Sequence, residues 1–537
     1  MRRLFLLTMC LATPFKLLGE QAGKGALQDA EFVIEKERKI LLQEAPRLFE
    51  NAPAAPRVSG PMQLLPTNPL VIQPSFDTLP RKVKLLRAKQ DMVFPLYGNY
   101  LQVGHGNFYT PYLEGFLTNT RDLRYAYGLH FKHLSAGQAG YGEENHNLVR
   151  LHGKFFTKTL WLGGEIGYSR DSYLLCNAAQ SNGAPLKEQS LDHWTLRHTL
   201  ANYTEAAINY QVEASLHYLA APEQVRETQG VIQGSGDYTL NDEFTLNATA
   251  DLYLTKYKDT YRNLCRLKPI LAFTVREFDI QAGLNLVYQN SNVQGLDAFN
   301  LYPVLEVKYP LYQWLQPYAG LGGDVQRNTL QGFIQENPWL AGNAALRHTN
   351  QRFLFYGGAM GELMEQISFH IGLSLGSYKN LHCFVNSATH PGHFDLCYDP
   401  ATMLLNAFGE LTHTNKAENW TTRLRGDYFH YSLQELTQPW HRPGYRLDVL
   451  STYRWHDKIV FKGTMYWVGG LRAQEVATRK AVTLPAVFDV GLGVDYLWNS
   501  RISIFLDCQN LLAKHNERYC QYPSRGFQFV AGLTYGW

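Results

Sequence analysis

Between residues 488 and 498 the chain alternates strictly. Phe488, Val490, Leu492, Val494, Tyr496 and Trp498 form one row, and Asp489, Gly491, Gly493, Asp495 and Leu497 form the other. The same period runs on from Phe244, where Leu246, Ala248, Ala250, Leu252 and Leu254 oppose Thr245, Asn247, Thr249, Asp251 and Tyr253. It returns at Phe369, with Ile371, Leu373 and Leu375 set against His370, Gly372 and Ser374. Successive side chains of a strand point to opposite faces, so a period of two predicts strands. These runs are about twice the ~5–6 residues usual in soluble sheets. They match the ~9–11 residues of a strand crossing a bilayer. In that setting the apolar row faces lipid, the polar or small row faces a lumen, and aromatic residues gather at both interfaces. Lipid tolerates no open sheet edge, because unpaired backbone groups there have no water to bond. The pattern therefore predicts an all-β fold, an antiparallel transmembrane β-barrel over residues 93–537. At roughly 20 residues per strand and connection, that span holds about 22 strands, an even number.

The residues ahead of the barrel differ in kind. Met1, Arg2 and Arg3 precede a short apolar run, with small residues following at Gly19 and over 22–26. That layout is a signal peptide over residues 1–26. Residues 27–92 are first charged (Glu31, Glu35, Lys36, Glu37, Arg38, Lys39) and then carry Pro53, Pro56, Pro61, Pro66, Pro69, Pro74 and Pro80. Such a segment reads as a short, extended N-terminal periplasmic extension.

Composition narrows the picture. The 537 residues are 13% aromatic, which excludes a disordered chain. Charged residues make up 18%, below the roughly 25% of an average soluble chain. Beyond the N-terminus no run reaches the ~18–20 apolar residues of a spanning helix. Fifty basic residues against 47 acidic give a net charge of +3 without a basic block, so nucleic-acid binding has no electrostatic support.

Export permits disulfides among Cys176, Cys265, Cys383, Cys397, Cys508 and Cys520. Cys383 and Cys397 flank a turn at 387–393 almost symmetrically and form one candidate pair. The neighbouring His382, His390 and His393 would also suit a metal, but a disulfide or two thiols is the favoured reading. Cys508 and Cys520 flank another loop and form a second candidate pair. No cofactor and no metal site is expected. A hydrolase would need a serine, a histidine and an orienting carboxylate or amide. His146, His152, His198 and Ser190 supply the residue types without a nucleophile motif, so no catalytic residue and no enzyme is expected. Gly320, Gly322 and Gly323, like Gly491 and Gly493, lie inside alternating strands and not in phosphate-binding loops; they are expected to leave space in the lumen. Asp251, Asp489, Asp495 and Asp507 fall on the inward row and would act as pore charges.

The C-terminus carries a resemblance. Asn510-Leu511-Leu512 leaves one alternating strand, Tyr522-Pro523-Ser524-Arg525-Gly526 forms the loop, and Phe529, Ala531, Leu533, Tyr535 and Trp537 make a final row. Residues 502–537 resemble the last two strands of TonB-dependent receptor barrels, especially those of Bacteroidetes-type bacteria. Asn516 stands where that family usually has a tyrosine, the nearest being Tyr519, and Trp537 replaces the usual terminal phenylalanine. The resemblance implies a bacterial outer-membrane protein that transports a solute. It also implies that Gly532, Tyr535 and Trp537 form the terminal signal read by the barrel assembly machinery. The family's plug domain finds no room between the signal peptide and residue 93. A plugless, porin-like diffusion barrel is thus expected, unless the Pro-rich segment folds into the lumen. The alternative is a non-transporting scaffold whose lumen or periplasmic tail binds a partner protein. Expected partners are outer-membrane lipid, the assembly machinery and a periplasmic or surface protein.

Overall fold

The computed structural model describes residues 98–537 apart from 120, 121, 123, 139–140, 176–187, 203–207, 223, 242, 291–296 and 476–477. The expected signal peptide, the Pro-rich segment, Cys176 and the expected barrel start at Val93 lie outside the described residues. Twenty-two antiparallel strands hydrogen-bond in chain order into one sheet. The first, Tyr100–Gly106, pairs with the last, Gln528–Gly536, from Tyr100↔Gly536 to Gly106↔Val530. That pairing closes the barrel and removes every sheet edge.

The alternation of the sequence becomes the two faces of the wall. Ile371 and Leu373 are 51% and 52% exposed on the outside, while Ser374 between Leu373 and Leu375 is buried against the inside. Leu492, Tyr496, Leu533, Tyr535 and Trp537 likewise face outward. A soluble monomer rarely exposes apolar patches beyond a few hundred Å²; here the apolar surface is a continuous belt, which only lipid satisfies. Trp314, Trp420, Trp455, Trp498 and Trp537 all lie exposed at the end of the barrel that holds the C-terminus. Trp194, Tyr218, Tyr288 and Phe299 lie exposed toward the other end. Two aromatic girdles bounding an apolar belt are the anchors of a membrane-spanning barrel. The protein is a transmembrane β-barrel, as the alternation predicted.

The two ends differ. At the girdle of tryptophans the connections are short, among them Arg276–Glu277 and Glu365–Gln366. At the opposite end several are long: residues 327–348 hold the helix Leu330–Glu336, and residues 380–401 the hairpin Leu381–Asn386/Phe394–Asp399. Residues 470–486 hold the hairpin Arg472–Gln474/Ala481–Thr483, and residues 510–527 hold Glu517–Tyr519/Tyr522–Pro523. Bacterial barrels place short turns in the periplasm and long loops outside the cell.

At the seam, Gly104 and Gly532 are register partners. A Cβ on Gly532 would stand 2.1 Å from the Val103 carbonyl, and the buried Phe505 ring lies over both glycines. Of the inward glycines expected to leave space in the lumen, Gly322 does so, with nothing within 4 Å of an added Cβ, but Gly320 and Gly323 do not. The Tyr356 ring covers Gly320 and the Tyr302 ring covers Gly323. Gly491 and Gly493 are met instead by Thr464 and by Asp507 and Lys462.

Candidate functional site

The long loops do not stand away from the barrel; they meet over its mouth. Leu330, Phe333 and Ile334 of the helix, Leu340, Ala344 and Leu346 of the chain after it, Phe384 and Phe394 of one hairpin, and Tyr519 and Tyr522 of another form one buried apolar cluster. The rim residues Leu191, Leu219, Val225 and Tyr257 belong to the same cluster. Leu330 and Phe394 are fully buried. Burying such side chains stabilises by about 1.5–3 kcal/mol each, so the cluster is a second hydrophobic core, set across the outer opening.

Polar contacts fix each loop to the next. The helix starts at Thr329, whose hydroxyl accepts from the Gly332 N–H at 3.0 Å. The Glu227 carboxylate, on the rim strand Val225–Thr239, accepts the N–H groups of Leu330 at 2.8 Å and Gln331 at 3.2 Å. A helix start leaves such donors unpaired and favours negative charge beside them, which is why a fully buried carboxylate is tolerated here. The Tyr257 hydroxyl reaches the carbonyls of Gly342 and Ala344 at 2.8 and 3.0 Å. The Trp339 indole donates to the Leu174 carbonyl at 3.2 Å and stacks on Tyr522 with ring centres 3.9 Å apart. Across the cluster, Tyr519 donates to the Glu336 carbonyl at 2.7 Å, Arg442 to the His382 carbonyl at 2.7 Å, and Arg518 to the His441 carbonyl at 2.7 Å. Leu340 and Phe394 form a parallel β-bridge. Loops from four separate places in the chain are thus joined to each other and to the rim.

Below the seal the lumen wall carries charges, many of them paired. Arg266 lies between Asp251 at 3.1 Å and Asp324 at 3.0 Å. Lys462 meets Asp495 at 2.8 Å, and Arg425 bridges Glu410 and Asp427. The Asp489 carboxylate accepts the Asn510 N–H at 2.9 Å. Asp251, Asp489 and Asp495 therefore sit inside ladders of opposite charge and donors, and not as free pore charges.

The candidate site residues fall in different places. Cys383 and Cys397 are direct register partners on the hairpin inside the seal, and the Cys397 thiol lies 3.5 Å from the Cys383 carbonyl oxygen. Cys508 pairs in register with Leu492 and Phe529 and belongs to the outward row. Cys520 packs inside the mouth on the cluster of Tyr466, Val468 and Leu471. The structure does not bring Cys508 and Cys520 together, because the barrel wall separates them. Gly532 lies at the seam, and Tyr535 and Trp537 stack outward with ring centres 5.4 Å apart. His146 meets Asp171 at 2.7 Å on the inside, whereas His198 sits in an outer groove with Leu162, Gly164 and Ala214. The residues weighed for a hydrolase are thus split between the two faces. Glu227, His348, His441 and Trp339 carry the seal, and none stands out in the sequence: loop residues answer to no period, and nothing local to the strand marks Glu227.

The sequence matches no family model and no curated protein. Its fold does have solved relatives. The siderophore receptor PirA from Acinetobacter baumannii superposes with a TM-score of 0.62 at 10% identity, over 82% of this chain and 80% of that one. The ferric-catecholate import receptor Fiu from E. coli K12 gives 0.62 at 8% identity, over 82% of each chain. The Pseudomonas aeruginosa ferric enterobactin receptor PfeA, in a mutant complex with enterobactin, gives 0.62 at 12%, over 82% and 81%. FpvAI in complex with pyocin S2 gives 0.61 at 11%, over 82% and 73%. The chain is similar to these receptors in fold: it has the large barrel of outer-membrane import receptors.

Proposed function

We propose that this outer-membrane barrel transports a solute across the outer membrane and that its own outer loops, and not a plug domain, close the pathway. The observation that carries this reading is the buried cluster across the mouth, which joins rim strands to loops from three connections. The described residues are all used by the barrel and its loops. The import receptors that share the fold support a transport role over an enzymatic one. Paired charges below the seal leave a polar, nearly balanced lumen suited to a polar solute. The test is single-channel conductance of the purified chain in a planar bilayer. The intact protein should be closed at neutral pH. Replacing residues 330–346 with a short Gly/Ser linker should give large, steady conductance from a barrel that still shows heat-dependent migration in a detergent gel. Steady conductance in the intact protein would reject loop closure.

The completeness of the seal also favours a rival reading, a non-transporting scaffold that docks a periplasmic or surface partner; among the fold relatives, FpvAI is solved with a protein bound. Co-purification with and without residues 27–92 separates the two. A stoichiometric partner lost with that segment favours the scaffold, and no partner in either sample rejects it.

A further inference from the structure

Two imidazoles tie the seal together, and each does so as a hydrogen-bond acceptor. His441, in the connection 433–444, places Nδ1 2.8 Å from the Phe384 carbonyl and Nε2 3.2 Å from the backbone N of Cys520. A carbonyl only accepts and a backbone N–H only donates. The ring must therefore carry its proton on Nδ1 and a lone pair on Nε2. His348, at the end of the helix-bearing loop, receives two donors on Nδ1: the Asn328 N–H at 3.1 Å and the Arg262 guanidinium at 3.2 Å. Its proton is on Nε2. Both rings are held neutral by the direction of their bonds.

These bonds sit where loops meet. His441 links its own loop to the hairpin carrying Phe384 and to the hairpin carrying Cys520. His348 links the helix-bearing loop to the rim at Arg262. We propose that the seal is an acid-operated latch, in which protonation of His441 and His348 removes the acceptors that join the loops and opens the mouth. This rests on the reading of the loops as the closure of a transport barrel.

The surroundings oppose an added proton. Against His441 lie the rings of Phe394 and Tyr519, Cys520, and Arg518. Arg442 follows it in the chain, and the His441 N–H donates to the Arg472 carbonyl at 2.8 Å. Around His348 the charged groups are Arg262 and Arg327. Among the described residues neither ring is paired with a carboxylate, unlike His382, whose Nε2 lies 2.9 Å from Glu336. Burial, with Arg518, pushes His441 down from 6.5 to about 4. Burial, with Arg262 and Arg327, holds His348 well below the ordinary histidine range.

The sign follows from linkage. Loops that have swung open carry ordinary imidazoles, which gain a proton below about 6.5, while the sealed rings stay neutral. Closure is strongest above about pH 6.5 and weakens as pH falls toward the depressed sealed-state value. His441 alone should raise the opening equilibrium roughly 30-fold between about pH 8 and about pH 5.

The experiment follows conductance of the full chain from about pH 7.5 to about pH 4.5. Hydrogen exchange of segments 327–348 and 517–523, corrected for intrinsic rates, is measured alongside. Expected is a closed barrel at the neutral end. Reversible openings and faster exchange of both segments should appear in acid, with the wall strands unchanged. The double variant His441→Phe/His348→Phe should open at neutral pH and lose the pH response. A wild type whose conductance and exchange stay flat to the acid end overturns the latch, and so does a folded double variant that keeps the wild-type response. Conductance already present at neutral pH with both segments still protected overturns the closure reading itself. The exchange measurement on the wild type decides the matter even if the variant fails to assemble.

Discussion

Gly532 shows what a single position does in this wall. It faces Gly104 across the seam, and any side chain there would strike the Val103 carbonyl. Gly532→Val should reduce the fraction of chain that closes, read as loss of the fast-migrating band in an unheated detergent gel; an unchanged band would remove Gly532 from the proposed assembly signal. On the outer row, Leu492→Arg places a charge on the lipid-facing belt. It should cost about 2–4 kcal/mol in denaturant titrations from vesicles if Leu492 lies at mid-bilayer; a neutral result would overturn the assigned facing. For the cysteines, we propose that Cys383 and Cys397 form a disulfide in the exported protein, since they oppose each other in register. Intact mass should then fall by about 2 Da for that pair, with Cys508 and Cys520 still alkylated. Labelling of all four would reject it.

At the scale of elements, the helix Leu330–Glu336 depends on a carboxylate supplied by a rim strand. Glu227→Ala would leave the Leu330 and Gln331 donors without that partner in a buried place, a loss of about 1–3 kcal/mol for the docked helix. Faster exchange of the helix amides without change in the wall strands is the expected signature. The strands were legible in the sequence because lipid on one side and a polar lumen on the other impose a period of two on every residue, Phe244 to Leu254 included. Even the facing of Cys508 was readable, since it continues the row of Ile502, Ile504 and Leu506. The seal was not legible. Leu330, Phe394 and Tyr519 become one core only after distant loops meet, and nothing local to any of them announces the others. The inward aspartates were placed correctly as a row, but their basic partners sit on neighbouring strands, so pairing stayed hidden.

For the molecule as a whole, a barrel of this width needs something in its path, and we propose that the outer loops supply it. That has a consequence for how the protein comes into being. The cluster across the mouth joins rim residues such as Leu191 and Tyr257 to Tyr519 and Tyr522, near the end of the chain. Contacts so far apart in sequence form late, because the intervening chain must be ordered first. The wall can close around a hole before the hole is covered, so each newly inserted copy passes through a leaky stage. Its duration is set by the docking of the final loop. A permeability defect that scales with the rate of synthesis and not with the amount of mature protein would be the cellular trace of that order of events.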